Sequence, residues 1–203
     1  MLNILVFLAS VIVISLSGVM MPGPVTAVTI AKGRRDGNAG ALVAVGHGVL
    51  EFPLMVLIYL GFSHLFTYDI VRRGIGFAGG LMLGIMGLQM FRVRDDVKFG
   101  GGDVKFSSVV SGVAATGANP YFFLWWATIG SALVATSNIF GLGGFILFAL
   151  THWLCDFFWY LLISRAVFKS RSLWSLKVHR IIFSVCAFIL IFFAGWFLYS
   201  AMF

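Results

Sequence analysis

Two prolines separated by one glycine, Pro22-Gly23-Pro24, interrupt an apolar run that extends from Ile4 to Ala31. A proline lacks a backbone N–H and clashes with the preceding turn, so a continuous helix cannot pass through this triplet. The run is nonetheless long and apolar enough to be embedded in a membrane. A broken helix at membrane depth is tolerated only where it faces protein or a water-filled cavity. The triplet therefore predicts a broken membrane helix beside a cavity.

The composition places the whole chain in a membrane. Of its 203 residues 61% are hydrophobic and only 10% are charged, and the mean hydropathy is +1.03. A soluble domain of this size needs more charged surface, so we expect a single transmembrane domain over residues 1–203. Cys155 and Cys186 both fall in apolar runs, which indicates buried thiols and no disulfide.

Six apolar runs are each close to or above the ~20 residues that a spanning helix needs. They predict an all-α integral membrane protein with six transmembrane helices. The runs are Ile4–Ala31, Ala39–Phe66, Gly74–Phe91, Phe106–Val134, Phe140–Ser164 and Arg180–Met202.

The loops between these runs differ strongly in positive charge. Basic residues enrich cytoplasmic loops, so the pattern places the odd loops in the cytoplasm and both termini outside. The net charge of +7 thus reflects topology and contact with anionic lipid, and we expect no nucleic-acid partner. Loop two holds only Arg72 and Arg73, loop four holds no basic residue, and the odd loops hold Lys32, Arg34, Arg35, Arg92, Arg94, Lys98, Lys105, Arg165, Lys169, Arg171, Lys177 and Arg180.

The longest polar segment, residues 92–105, divides the chain into two similar parts. Its sequence, RVRDDVKFGGGDVK, has mixed charges and three consecutive glycines, which are typical of a flexible linker. A phosphate-binding loop would need a preceding strand and a Gly-Lys-Ser/Thr ending, which the sequence lacks. We therefore expect a cytoplasmic linker between a first repeat at about 1–91 and a second at about 106–203.

Each repeat carries a break in its first apolar run and a histidine–acid pattern in its second. Pro22-Gly23-Pro24 breaks the first run and Asn119-Pro120 breaks the fourth, whereas His-x-x-x-acid-Phe occurs at His47–Phe52 and at His152–Phe157. Three helices per repeat give the two repeats opposite orientations, in agreement with the basic first loop and the uncharged fourth. We predict an inverted repeat with helices 1 and 4 broken, as in many secondary transporters.

Glu51 and Asp156 are the acids that lie within the apolar runs and away from their ends, and His47 and His152 are the histidines so placed. A charge at membrane depth is costly, so such residues usually face a cavity or a partner. Positions i and i+4 share a helix face, which puts His47 beside Glu51 and His152 beside Asp156. Each pair could simply fix helix packing by a hydrogen bond, but the repetition of the pattern favours a functional role.

The breaks provide the complementary charge. A helix that restarts after Pro24 or Pro120 has free N–H groups and a positive dipole end, which favour a carboxylate. Glu51 and Asp156 favour an ammonium group or a proton, so together these groups predict a site for a zwitterion. The expected substrate contacts are Pro22, Gly23, Pro24, Val25, Glu51, Asn119, Pro120 and Asp156, and the expected proton-coupling residues are Glu51, Asp156, His47 and His152. Ser17, Thr26, Thr116 and Asn119 could add hydrogen bonds to a substrate, although for these four a structural role at the breaks is favoured.

These residues resemble the lysine-exporter (LysE/RhtB) family of amino-acid efflux proteins. The resemblance rests on Pro-Gly-Pro in the first run, the acid in the second, GLQMFRVR at the end of the third and Asn-Pro in the fourth. The resemblance implies export of amino acids or related metabolites across a prokaryotic inner membrane, driven by the membrane potential or a proton gradient. The commoner pattern has Thr and Asn around Pro-Gly-Pro and Lys after Asn-Pro, where this chain has Met21, Val25 and Tyr121.

A secondary transporter of small amino-acid-like solutes is thus the leading hypothesis. The alternative is a divalent-metal transporter or a structural metal site, because His47, Glu51, His152 and Asp156 supply nitrogen and oxygen ligands suited to zinc. An enzyme is disfavoured, since no nucleophile motif or cofactor loop accompanies these groups, and no cofactor is expected. Six helices leave little wall around a midplane cavity, so we expect a homodimer that uses the Gly-rich third or the Phe-rich sixth run.

Overall fold

The computed structural model describes residues 3–21, 23–62, 68–93, 107–173 and 175–202, and every regular element in these ranges is helical. The elements are α1 (Ile4–Val19), α2 (Pro24–Gly33), α3 (Ala39–Tyr59), α4 (Asp69–Val93), α5 (Ser108–Gly117), α6 (Pro120–Trp125), a π-helical turn (Trp126–Gly130), α7 (Ser131–Ser137), a 3-10 turn (Asn138–Phe140), α8 (Gly141–Ser170), a second 3-10 turn (Arg171–Leu173) and α9 (Leu176–Met202).

The predicted break in the first run is confirmed. α1 ends at Val19, α2 begins at Pro24, and the two helices are bent by 77° relative to each other. Pro24 is the first residue of α2, where its missing N–H breaks no helical bond and its fixed φ suits a helix start. One helix therefore ends before the triplet, and another begins at Pro24 in a new direction.

The predicted break in the fourth run is confirmed as well. α5 ends at Gly117 and α6 begins at Pro120, with Asn119 as its N-cap. The chain then passes through the π-helical turn, where the Ser131 hydroxyl donates to the carbonyl of Trp126 at 2.7 Å. Such π turns are rare and occur frequently at functional sites.

A sharp reversal between α7 and α8 forms a helical hairpin. Gly141 at this turn has φ +66°, a left-handed conformation that glycine adopts without steric cost. The rings of Trp126 and His152 lie with their centroids 5.1 Å apart, whereas in a straight helix they would be separated by roughly 39 Å. The hairpin thus brings the second break next to the middle of α8.

The protein is a multi-pass membrane protein. Among the residues that the structure describes, three helical stretches are long and apolar enough to cross a membrane, or four if the bent pair α1–α2 forms one span. The stretches are Ala39–Tyr59, Tyr121–Leu173 (which includes the hairpin) and Arg180–Met202. The arrangement of six spans as an inverted repeat goes beyond these stretches and stays a prediction.

α3 lies at the centre of the fold and packs against α5 and α8. Gly46 and Gly112 allow a close approach of α3 to α5, because a Cβ on Gly46 would overlap the carbonyl of Val109 and a Cβ on Gly112 would overlap that of Val43. Small residues permit this kind of backbone contact between membrane helices. The contact fixes the height of α3 relative to α5 and therefore the position of His47.

α4 packs mainly along α9. The glycine face of α4 is used in this contact, since a Cβ on Gly80 would meet Leu198 at 2.8 Å and one on Gly87 would meet Ile191 at 2.7 Å. α4 continues to Val93, two residues into the predicted linker, and the remaining linker residues lie outside the described ranges. The face of the third run that the sequence offered for a dimer is thus occupied within the chain.

Candidate functional site

α3 and α8 bring the predicted histidines and acids together in one buried group. His47 and Glu51 lie one turn apart on α3, His152 and Asp156 lie one turn apart on α8, and each residue is at most 6% exposed. We refer to these four residues as the His–acid cluster. Two pairs that the sequence left on separate helices therefore form a single site.

Glu51 is the central acceptor of the His–acid cluster. Its Oε1 lies 3.0 Å from Nε2 of His47 and 3.1 Å from Nε2 of His152. A carboxylate oxygen only accepts, so both imidazoles donate to the same atom. Asp156 is more distant, at 4.0 Å from Nε2 of His47 and 3.6 Å from Nε2 of His152. His152 thus bonds to the acid of α3, although the acid of its own helix is nearby.

Two buried hydroxyl groups complete the hydrogen bonds of the imidazoles. Nδ1 of His47 lies 2.8 Å from Oγ1 of Thr116, and Nδ1 of His152 lies 2.7 Å from Oγ of Ser15. With Nε2–H assigned as the donor to Glu51, each neutral ring accepts a hydrogen bond from its hydroxyl group. Thr116 belongs to α5 and Ser15 to α1, so each histidine is held by the helix that precedes a break.

Other hydroxyls near the breaks have different roles. Ser17 donates to the carbonyl of Ile14 at 2.7 Å, which is the structural role that the sequence favoured. Ser15 was missed by the sequence analysis, because a serine in an apolar helix does not reveal which neighbour it contacts. Only the rotation of α1 about its axis distinguishes the buried Ser15 from the exposed Ser17.

The two helix starts at the breaks differ in their free donors. Gly23 caps α2 without a side-chain hydrogen bond, and within the described ranges no acceptor is found for the N–H groups of Val25 and Thr26. At the second break, Oδ1 of Asn119 accepts from the N–H of Tyr121 at 3.1 Å, and the carbonyl of Asn119 accepts from the N–H of Phe122 at 3.0 Å. The start of α2 is therefore the one with donors left for an anion.

A cavity of about 90 Å³ lies between the breaks and the His–acid cluster. At the share of about 30 Å³ that one molecule has in liquid water, this volume holds on the order of three waters. The walls are partly aromatic, and no lysine or arginine is found among the described lining residues. The lining includes Ser15, Met21, Gly23, Pro24, Val25, Thr26, His47, Glu51, Asn119, Tyr121, Phe122, Trp125, Trp126, His152, Asp156 and Tyr160.

The cavity brings together most of the residues that the sequence predicted for a site. Of the predicted residues, Pro22 lies outside the described ranges. Pro120 is described only as the first residue of α6. Tyr121 and Tyr160 were not singled out as binding residues, yet both line the cavity. The Tyr121 hydroxyl donates to the sulfur of Met21 at 3.0 Å, which connects the two breaks across the cavity.

The donor set for a metal is smaller than the sequence suggested. Among the described residues, His47, Glu51 and Asp156 each offer one ligand atom within 4.8 Å of the others, whereas His152 does not join this group. One nitrogen and two oxygen donors are compatible with zinc. The short contacts of Glu51 with both imidazoles are, however, ordinary hydrogen-bond distances that protons alone satisfy.

Comparison with known protein families gives a match over most of the chain. The sequence profile of the family described as LysE type translocator matches residues 16–201, a region that includes both helix breaks and the His–acid cluster. Searches of curated proteins and of solved structures found no match.

Proposed function

The chain belongs to the LysE type translocator family, and from this premise we propose that it is a secondary transporter that exports amino acids or related small zwitterionic metabolites from the cytoplasm. The proposal rests on one observation: two buried acids and a helix start with free N–H donors line the same cavity. The members of this family are translocators, which argues against an enzyme.

The charge arrangement in the cavity supports a zwitterionic substrate. The N–H groups of Val25 and Thr26 would hold the carboxylate with help from the dipole of α2. The ammonium group would lie at the acidic side, near Glu51 and Asp156. Half-helix starts that face anionic groups are a recurrent feature of transporters with broken helices.

We propose that the His–acid cluster couples transport to protons. Each imidazole contacts a carboxylate at one nitrogen and a hydroxyl at the other. A hydroxyl can donate or accept, so both hydrogen bonds persist when a ring gains a proton. The cluster can therefore change its charge without losing hydrogen-bond partners, which suits an antiporter that exchanges substrate for protons. The membrane potential is the alternative driving force.

We propose six spans arranged as an inverted repeat. The bent pair α1–α2 and the broken helix α5–α6 each precede a helix with a histidine–acid pair. α4 has 25 residues, which correspond to about 37 Å and suffice for a span. With the odd loops in the cytoplasm, both termini lie outside an inner membrane.

A homodimer remains part of the proposal. Large apolar side chains such as Phe188 and Phe192 on α9 are more than half exposed, and lipid or a second copy of the chain can cover them. Light scattering of the detergent-solubilised protein should give a particle with two chains; a single chain per particle at all concentrations would refute the dimer.

Transport by the purified protein in proteoliposomes tests the function. We expect counterflow of at least one proteinogenic amino acid, and we expect a rate at least tenfold lower for the double variant Glu51→Gln/Asp156→Asn. The control is Asp69→Asn, which removes an exposed acid at the start of α4 and should transport normally. Transport that is unchanged in the double variant would refute the role of the acids.

The metal alternative rests on the grouping of His47, Glu51 and Asp156. It predicts about one divalent ion per chain in protein purified without chelators, and loss of this ion in His47→Ala. Elemental analysis distinguishes the two functions, because an amino-acid transporter without a resident metal gives no stoichiometric ion in either protein.

A further inference from the structure

The carboxylate of Asp156 differs from that of Glu51 in its partners. Glu51 accepts two hydrogen bonds at Oε1 and is 1% exposed. Asp156 is 5% exposed and lines the cavity, but no described side chain donates a hydrogen bond to it, and its Oδ2 is enclosed without a partner. Oε2 of Glu51 is enclosed without a partner as well. Both imidazole Nε2–H groups are directed to Oε1 of Glu51, however, so Asp156 is the acid that has no side-chain donor among the described residues.

Tyr160 provides a second unused polar group at the same place. It lies one helical turn after Asp156 on α8, is 5% exposed and lines the cavity. Its ring meets the imidazole of His47 edge to face, with centroids 6.2 Å apart. A buried tyrosine hydroxyl normally has a hydrogen-bond partner, and among the described residues Tyr160 has none.

The surrounding wall is suited to a cation. Phe122 and Trp125 are buried lining residues near the histidines, and aromatic faces attract ammonium groups. The described lining contains no lysine or arginine that would neutralise Asp156 from within the protein. An ammonium group donates up to three hydrogen bonds, which matches one carboxylate and one phenol oxygen.

From these contacts we infer that Asp156 and Tyr160 form the subsite for the substrate's ammonium group, and that Glu51 instead positions the two histidines. The inference deepens the proposed function and rests on it for the identity of the natural substrate. Tyr160 is then a substrate-binding residue, and the carboxylate of the substrate points away towards the start of α2.

Two probes of similar size separate the ammonium subsite from the rest of the site. Propylammonium and propionate carry only one charge each, so binding of the first tests Asp156 and Tyr160 without the carboxylate subsite. We expect millimolar propylammonium to raise the melting temperature of the purified wild-type protein. Propionate at the same concentration should raise it less.

The variants then test each residue. Asp156→Asn should abolish the shift by propylammonium, and Tyr160→Phe should weaken binding roughly ten- to hundredfold, as expected for loss of a hydrogen bond to a charged group. Glu51→Gln should keep the affinity for propylammonium within about threefold of wild type. The control Tyr199→Phe removes an exposed phenol on α9 and should bind as wild type does.

Several results would overturn the inference. The first is wild-type affinity for propylammonium in both Asp156→Asn and Tyr160→Phe. The second is a loss of affinity in Glu51→Gln as large as that in Asp156→Asn. The third is no shift of the wild-type melting temperature by propylammonium, which would leave a proton as the occupant of Asp156. If Glu51→Gln does not fold, Asp156→Asn and Tyr160→Phe still test the ammonium subsite. Stabilisation by propylammonium in a protein that transports no amino acid would support this subsite and reject the proposed function, so the two failures are distinguishable.

Discussion

Thr116 and Ser15 act at the scale of single atoms, because each hydroxyl gives Nδ1 of its histidine a partner while Glu51, which only accepts, requires the proton on Nε2. Both residues are at most 2% exposed and bond to Nδ1. This leaves Nε2–H to donate to Glu51. A buried imidazole without such a partner would lose a hydrogen bond and could turn to the other tautomer.

Replacement of Thr116 by valine should therefore destabilise the protein. The shape is kept, but Nδ1 of His47 is left unpaired, which costs about 1–3 kcal/mol. Thr116→Ser keeps the hydroxyl and should restore most of the stability. Thermal unfolding in detergent measures both variants. Thr128→Val is a matched control, since the exposed Thr128 hydroxyl donates to the backbone carbonyls of Leu124 and Trp125 in the preceding turn. An equal loss in this control would contradict the prediction.

At the scale of elements, the close contact of α3 with α5 positions the His–acid cluster. Alanine at Gly46 or Gly112 places a Cβ onto a backbone carbonyl of the facing helix. The two helices must then separate, which should cost about 1–3 kcal/mol and lengthen the contact of His47 with Thr116. We expect a lower melting temperature and a lower transport rate in each variant.

Gly195→Ala is the control for this contact, because a Cβ at Gly195 meets no atom within 4 Å. It should leave the melting temperature within a few degrees of wild type. Alanine at Gly46 with wild-type stability and transport would show that α3 and α5 are not constrained by their small residues.

The hairpin between α7 and α8 depends on one backbone conformation. Gly141→Ala places a side chain at φ +66°, which costs about 1–2 kcal/mol. Gly143→Ala, two residues later in α8, has open space around its Cβ and should be neutral or slightly stabilising. Chemical denaturation of the two variants should separate them, and equal midpoints would argue against strain at Gly141.

The breaks and the histidine–acid pairs could be predicted from the sequence because their signals are local. A proline in an apolar run breaks a helix wherever it occurs, and i, i+4 spacing places His47 beside Glu51 in any helix. The bond of His152 to Glu51 depends on how α3 and α8 are rotated and offset, which no local pattern determines. The same is true of Ser15 and Tyr160. The capping of α6 by Asn119 could be predicted from the position of this residue before Pro120. The consequence, that the cap leaves fewer N–H donors for an anion, could not be predicted.

At the scale of the whole molecule, the uneven distribution of Lys and Arg sets the expected orientation. In a Cys155→Ala/Cys186→Ala background, single cysteines report the side of the membrane. Asn138→Cys in the turn before α8 and Phe203→Cys at the end of the chain should react with a membrane-impermeant maleimide in intact cells. Gly101→Cys in the predicted cytoplasmic linker should react only after permeabilisation, and the opposite pattern would invert the proposed topology.

The stacking of Trp125 on His152 has a spectroscopic consequence. The two rings lie with their centroids 5.1 Å apart and their planes inclined by 27°. A protonated imidazole at this distance quenches indole emission by accepting an excited-state electron, whereas a neutral one does so far less. In the lining of the cavity, Trp125 is therefore the fluorophore and His152 is its quencher. The difference in emission between wild type and Trp125→Phe gives a label-free signal of the charge on His152, readable on the millisecond timescale of a transport cycle.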